Sequence, residues 1–351
     1  QHAKNVLLFL ADAGGIPTLN AASAMEYGAP QKLYVQSWPH MGLSDTSTAT
    51  EWVTDSAAGM TAIVTGQKTN NGVLSQRADA VRGKTDGAPL QTILEYAEEK
   101  GLSTGVMTNV NIADATPAAC YAHVNDRGKL GEIFSQIFAP RFGDGVDVVF
   151  GVGRRQIFAN AQANGKDLAQ LAQDHHRTIY TSLSEIPAGE RRPIAVLDTP
   201  IDLPAAARLA IKTLSANPQG YFLMIEWDAH TDDPERGLHN IAGFDRLIRE
   251  IAKTVDLKET LLLFTADHSF DLRIHGGLRS DAVLKGLAEW RQTHTAHEKI
   301  DLPVIRVEDS HTGEEVLATA MGPGSAQVNG FFPNTKLFEV MMNAYGWSAT
   351  K

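Results

Sequence analysis

Asn5-Val6-Leu7-Leu8-Phe9-Leu10, followed by Ala11-Asp12, is an unbroken apolar run of strand length. A run of this kind, bounded by polar residues, reads as a buried strand. Working outward from it, similar runs recur at 104–110, 146–152, 221–225 and 261–265. Amphipathic stretches alternate with them at 90–100 (ended by Gly101), 203–216 and 235–253, and 336–345 reads as a closing helix. This strand–helix rhythm predicts an α/β fold with a mainly parallel central sheet and helices on both faces. No internal repeat, low-complexity tract or interdomain linker interrupts it. The expectation is one domain over 1–351, with the polar, weakly periodic segment 271–308 as a candidate surface insertion.

In such sheets ligands bind at the carboxyl ends of the strands. Asp12 follows the first run, Asp114 and Thr116 follow 104–110, Glu226 follows 221–225, and Asp267-His268 follows 261–265. Acidic and imidazole groups at four strand ends should therefore converge in space.

Composition narrows the chemistry. The 351 residues are 43% hydrophobic and 21% charged, ordinary for a globular protein. A net charge of −10 without a basic run argues against nucleic acid and anionic membranes as partners. An acidic protein acting on anions needs local positive charge, which bound metal ions supply. The single cysteine, Cys120, allows no intrachain disulfide and no cysteine-rich zinc module. The run at 6–10 is far too short to span a membrane. Gln1-His2-Ala3-Lys4, without a methionine, reads as a processed or trimmed N-terminus.

Several clusters carry chemistry, each of them modest alone. In Val53-Thr54-Asp55-Ser56-Ala57-Ala58-Gly59, Thr54 and Asp55 are good N-cap types, and 57–65 reads as helix. The Ser56 hydroxyl then sits at a helix N-terminus, where free N–H groups and the dipole favour an anion such as phosphate. Asp267-His268 offers two good zinc ligands, and His311 lies in Ser310-His311-Thr312-Gly313. Asp114-Ala115-Thr116-Pro117 offers a carboxylate and a hydroxyl, hard oxygens that suit magnesium. Arg127 carries a guanidinium able to grip two phosphate oxygens. Glu226-Trp227-Asp228-Ala229-His230-Thr231-Asp232-Asp233 is the densest ligand-capable cluster in the chain. Gly101-Leu102-Ser103-Thr104-Gly105 has the spacing of a nucleophile elbow, but a helix precedes it and a strand follows, the reverse of what that motif requires.

Taken in order from about residue 5 to about residue 346, these segments resemble the alkaline phosphatase family. The resemblance rests on Asp12, Val53 to Ala58, Asp114 to Pro117, Arg127, Glu226, Thr265-Ala266-Asp267-His268, His311-Thr312-Gly313 and Met321-Gly322-Pro323-Gly324 with Val328-Asn329-Gly330. It implies a compact, bacterial-type phosphomonoesterase with two zinc ions and one magnesium ion. Ser56 would be the nucleophile that becomes phosphorylated, and Arg127 would clamp two phosphoryl oxygens. Asp12, Asp267 and His268 would hold the zinc beside Ser56. Asp12, Asp114, Thr116 and Glu226 would surround the magnesium, and His311 would belong to the second zinc. The partners implied are small phosphate monoesters and inorganic phosphate. Periplasmic or secreted location and a homodimer are also what the family suggests.

Two departures from the family stand out. Its usual Gly-Asp-Gly is here Ala11-Asp12-Ala13. The segment 226–233 is shorter than in the family, so Asp228 becomes the nearest aspartate for the second zinc, and either His230 or Asp232 would complete the set. A carboxylate there would shift preference toward magnesium or manganese. The alternative functions are a related metal-dependent phosphodiesterase or sulfatase, and a non-catalytic phosphate- or metal-binding protein.

Overall fold

A computed structural model describes residues 2–348. Its frame is a ten-stranded sheet. From one edge to the other the strands are Gly330–Pro333, His40–Asp45, Val316–Met321, Thr260–Thr265, Asn5–Asp12, Tyr221–Asp228, Ser103–Asn111, Val148–Val152, Ile194–Leu197 and Ile179–Tyr180. All neighbours pair in parallel except Val316–Met321, which runs antiparallel to both strands beside it. The mainly parallel α/β reading therefore describes the fold.

Asn5–Asp12 is central because its side chains have nowhere polar to go. Val6, Leu8 and Leu10 pack on one face, among helices Ser56–Thr65, Ala115–Tyr121 and Lys336–Tyr345. Leu7, Phe9 and Ala11 pack on the other, among helices Ile16–Tyr27, Leu203–Leu214 and Pro234–Thr254. All six are fully buried, each large one worth about 1.5–3 kcal/mol relative to exposure. By the two-residue period of a strand, Asp12 points to the same face as Leu8 and Leu10, toward helix Ser56–Thr65.

That helix starts where the sequence placed its cap. Asp55 accepts the Ala58 N–H at 3.0 Å, and Gly66 closes the helix at φ 72°. Gly59 is required by its neighbour: a Cβ there would stand 2.7 Å from the Asp267 carbonyl oxygen. The glycine lets the helix press directly on the segment that carries Asp267 and His268.

Boundaries differ from expectation at informative places. The helix expected at 90–100 spans Ile93–Glu99, because Thr92 and Glu95 form a reciprocal cap. The strand expected to stop at 225 continues to Asp228, so Glu226 and Asp228 lie within it rather than after it. The elbow-like 101–105 stretch joins that helix to strand Ser103–Asn111, in the non-elbow order. Around the segment 271–308, strands Ser269–Ile274, Ile300–Asp301 and Ile305–Thr312 form a separate three-stranded antiparallel sheet. Val283, Leu287 and Ile305 tie this region into the apolar layer on the Phe9 side.

Candidate active site

Strand register assembles the site. Asp12 is level with Asp228, and Leu10 is level with both Glu226 and Thr265. Asp267 lies two residues beyond Thr265, just past the end of that strand, and ligand atoms of Asp12 fall within 4.8 Å of those of both Asp267 and Asp228, so the three carboxylates form a row with Asp12 in the middle. Neighbouring strands lie only about 4.8 Å apart. Three like charges at that spacing are mutually unfavourable unless a cation stands among them.

Ser56 and the imidazoles close over this row. Ser56 Oγ lies 3.4 Å from Asp12 Oδ1 and 3.1 Å from His268 Nε2. His268 Nε2 is 3.2 Å from Asp12 and 3.6 Å from Asp267 Oδ2. His230 Nδ1 is 2.7 Å from Asp228 Oδ1 and 3.8 Å from Asp12. The rings of His268 and His311 stack at 3.8 Å. Nδ1 of His268 faces the Ser269 carbonyl at 3.0 Å, and Nδ1 of His311 faces the Thr54 carbonyl at 3.1 Å. A carbonyl oxygen accepts only, so both Nδ1 atoms carry hydrogen. In the neutral rings Nε2 is then free to ligate.

Three ligand groups have their atoms within 4.8 Å of one another: His230, His268 and His311; Asp12, Asp267 and His268; Asp12, Asp228 and His230. A further oxygen set is left wanting. Thr116 Oγ1, Glu226 Oε2 and Asp267 Oδ2 are buried without a hydrogen-bond partner. Orphaned buried oxygens are costly, and a bound cation is one way they are satisfied. The donor types fit the implied metals: imidazole and carboxylate for zinc, carboxylate and hydroxyl oxygen for magnesium. Arg127 stands at the rim, with Nη1 3.2 Å from Asp55 Oδ2 and Nη2 2.8 Å from Asp114 Oδ1.

A family sequence profile described as "Alkaline phosphatase" matches residues 3–183 and 202–302. The chain belongs to the alkaline phosphatase family. It is 31% identical to streptomycin-6-phosphate phosphatase of Streptomyces griseus, over 98% of this chain and 91% of that one. It is 25% identical to alkaline phosphatase 4 of Drosophila melanogaster, over 98% of this chain and 76% of that one. Its fold is similar to that of the alkaline phosphatase from the Antarctic bacterium TAB5, with a TM-score of 0.78, 24% identity and 99% of each chain covered. This chain is therefore an alkaline phosphatase, a phosphoric monoester hydrolase. No helix among the described residues is long and apolar enough to cross a membrane.

Within this alkaline phosphatase the electrostatics describe a site short of cations. Burial raises the Asp267 carboxyl to about 6, and the Asp12 carboxylate adds to the rise. Burial, then Asp12, pushes Glu226 well above the usual carboxylate range. Burial would raise Asp12 as well, but His230 and His268 outweigh it and hold Asp12 low. Burial would lower His230, yet Asp12 and Asp228 carry it up to about 10. Burial and then the neighbouring His268 drop His311 to about 4. This environment favours a proton on both His230 and Glu226, and metal binding at such groups displaces protons.

The chain places the other expected residues unequally. Asp114 caps helix Ala115–Tyr121 by position and spends one oxygen on Arg127, and its side chain is 41% exposed. Of the two candidates to complete the second zinc set, His230 is in the cluster. Asp232 lies outside the three groups, its Oδ1 bonded to Arg236 Nη2 at 2.7 Å. The reason is local: Asp232 and Arg236 are four residues apart at the start of helix Pro234–Thr254, a spacing that pairs opposite charges.

The sequence reading missed two positioning residues. Asn109 Oδ1 accepts the Asp228 N–H at 2.8 Å, and Asn240 Nδ2 donates to the Asp228 carbonyl at 2.8 Å. Only Asn109 left a signal, as a polar residue near the carboxyl end of a buried strand. Ala13 sits at φ 63°, so the family's glycine position here holds a residue in the left-handed region, at a cost of about 1–2 kcal/mol. Its N–H still reaches Asp267 Oδ1 at 3.3 Å.

Proposed function

We propose that this phosphatase works through a phosphorylated Ser56 on a centre of two zinc ions and one magnesium ion. Asp12, Asp267 and His268 would hold the zinc beside Ser56. Asp228, His230 and His311 would hold the second zinc, and Asp12, Asp114, Thr116 and Glu226 the magnesium. The observation that carries this reading is the carboxylate row Asp228–Asp12–Asp267, in which Asp12 is level with Asp228 and grouped with Asp267, with Ser56 Oγ 3.4 Å from its middle member. A variant of the TAB5 enzyme has been solved with magnesium bound in a site termed M3, which supports magnesium in the set.

When bound, the metals supply Lewis acidity that lowers the hydroxyl's pKa and stabilises charge on the leaving oxygen. Ser56 Oγ gives its proton to solvent and forms a bond to phosphorus as the ester P–O bond breaks. The leaving oxygen departs with the electron pair and takes a proton from water. Water then attacks the phosphoserine, releasing inorganic phosphate and restoring the hydroxyl. Arg127 orients two non-bridging oxygens, and its pairing with Asp55 and Asp114 fixes the guanidinium plane beforehand. The N-terminus of helix Ser56–Thr65 adds donors for the phosphoryl group. A periplasmic or secreted location and a homodimeric assembly belong to the same reading, on the strength of the family resemblance.

Metal analysis paired with chelation tests the proposal. About two zinc and one magnesium per chain are expected. Nitrophenyl phosphate hydrolysis should stop on chelation and return with zinc. One zinc or none in a preparation fully active after metal is restored would overturn the two-zinc centre. Faster turnover of bis-nitrophenyl phosphate or nitrophenyl sulfate would move the reading to the phosphodiesterase or sulfatase alternative.

A further inference from the structure

We propose that Asn71 is a positioning residue for phosphate binding: together with Gly72 it fixes Asp55, and through Asp55 the plane of the Arg127 guanidinium. The inference rests on the reading of Arg127 as the phosphoryl clamp beside Ser56.

The turn Asn70-Asn71-Gly72-Val73 carries this chemistry. The Val73 N–H donates to the Asn70 carbonyl at 3.1 Å, and Gly72, third of the four, sits at φ 79°. These are the marks of a type II turn, whose third position favours glycine because φ is positive there. Asn70 anchors the turn to its surroundings. Its Nδ2 donates to the carbonyls of Ala78 at 2.8 Å and Ala80 at 3.2 Å, and its Oδ1 accepts from Thr50 Oγ1 at 3.0 Å.

A turn held in this way presents two adjacent residues to the stretch that leads into Ser56. Asn71 Oδ1 accepts the Asp55 N–H at 2.7 Å. Asn71 Nδ2 donates to the Val53 carbonyl at 3.0 Å and to Glu51 Oε2 at 3.1 Å. One amide therefore grips residues 51, 53 and 55 together. The Gly72 N–H donates to Asp55 Oδ2 at 2.9 Å, and the Gly72 carbonyl accepts the Arg127 N–H at 2.8 Å. Asp55 Oδ2 is also the oxygen that takes Arg127 Nη1 at 3.2 Å, while Oδ1 accepts the Ala58 N–H and caps the Ser56 helix.

The contacts close a ring from the turn to Asp55, on to Arg127, and back to the turn. Asp55 is held at both its backbone and its carboxylate, and Arg127 at both its backbone and its guanidinium. A guanidinium that must meet two phosphoryl oxygens at once gains from a plane fixed in advance. Asn71 supplies the backbone half of the hold on Asp55. An amide that merely stapled the loop would affect stability, and its effect on phosphate would not depend on Arg127.

A double-mutant cycle between Asn71→Ala and Arg127→Ala separates the two roles. It is read on the metal-loaded enzyme as the inhibition constant of inorganic phosphate, with KM and kcat for nitrophenyl phosphate. With Arg127 present, Asn71→Ala should raise the inhibition constant about fivefold to tenfold, KM rising by more than kcat falls, at wild-type metal content. In the Arg127→Ala background the same change should cost less than about twofold. Should Asn71→Ala fold poorly, Asn71→Ser takes its place, since turns accept serine and its hydroxyl ends one bond short of the amide. An equal rise in both backgrounds, or no rise in either whatever the melting temperature does, overturns the inference. An Arg127→Ala enzyme that binds phosphate as tightly as wild type overturns the clamp reading itself, and the inference falls with it.

Discussion

Two buried polar clusters sit at opposite ends of the same sheet, and they are built on opposite principles. At the amino ends of the strands, Glu98 accepts from Thr104 Oγ1 and from the Gly145 N–H, and Asp147 accepts from the Thr104 N–H and from Arg192 Nε. Arg177 donates to the carbonyls of Val146, Asp147 and Arg192. Each of these polar groups finds its hydrogen-bond partners within the protein. At the carboxyl ends, Thr116 Oγ1, Glu226 Oε2 and Asp267 Oδ2 are buried and unmatched. The first cluster is complete as folded; the second is complete only with something taken from solvent. Charge burial alone does not mark a functional site. Unbalanced burial does, and the carboxyl end of this sheet gathers three such oxygens in one place.

The comparison breaks hardest at Ser56. Ser56→Ala should lower nitrophenyl phosphate turnover by at least about a thousandfold, which is roughly 4 kcal/mol of transition-state stabilisation. Metal content and melting temperature should stay near wild type, because the helix cap is Asp55 and not Ser56. Labelled phosphoserine persisting in the variant would remove Ser56 from the role.

The zinc assignment comes next in size. His230→Ala should lose about one zinc equivalent and most activity, since His230 contacts both Asp228 and Asp12. Asp232→Ala should keep its zinc. Equal zinc loss in the two variants would return Asp232 to the ligand set. Arg127→Ala should raise the inhibition constant of inorganic phosphate about 10- to 100-fold, the worth of one or two charge-assisted hydrogen bonds of roughly 1.5–3 kcal/mol in all. An unchanged constant would end the clamp role.

Much of this was legible in the sequence, for a physical reason. The apolar runs and the polar residues just past them lie within single strands, so Asp12, Asp267 and His268 could be placed at strand ends from local pattern alone. What local pattern does not carry is register. That Asp12 stands level with Asp228 depends on pairing between strands more than two hundred residues apart in sequence. For the same reason the partners of the Asp228 backbone could not be assigned: Asn109 shows only as a polar residue near a strand end, and Asn240 looks like any polar residue on a helix. What separates His230 from Asp232 in space is a helix start, where Arg236 one turn on pairs with Asp232. Strand Val316–Met321 runs antiparallel to both its neighbours, and chain direction within a sheet leaves no trace in composition.

The smallest effect tests the other side of the comparison, the matched cluster. Burial raises the Glu98 carboxyl from 4.5 to about 7, and Asp147 adds to the rise. The folded state therefore prefers the protonated acid. Its contribution to stability is full below about pH 4.5 and is lost as pH rises through about 7. Across that window the loss amounts to about 3 kcal/mol, taking 1.36 kcal/mol per pH unit. Glu98→Gln, which cannot ionise, should flatten the fall in unfolding free energy between pH 4.5 and 7, measured by denaturant titration at several pH values. The nitrophenyl phosphatase activity should change by less than about twofold, because Glu98 lies at the end of the sheet away from Ser56. A variant with the same pH slope as wild type would mean that Glu98 is ionised throughout and that the amino-end cluster is not balanced in the way described. A large loss of activity instead would mean that the two ends of the sheet are coupled, and the division of labour between them would fail.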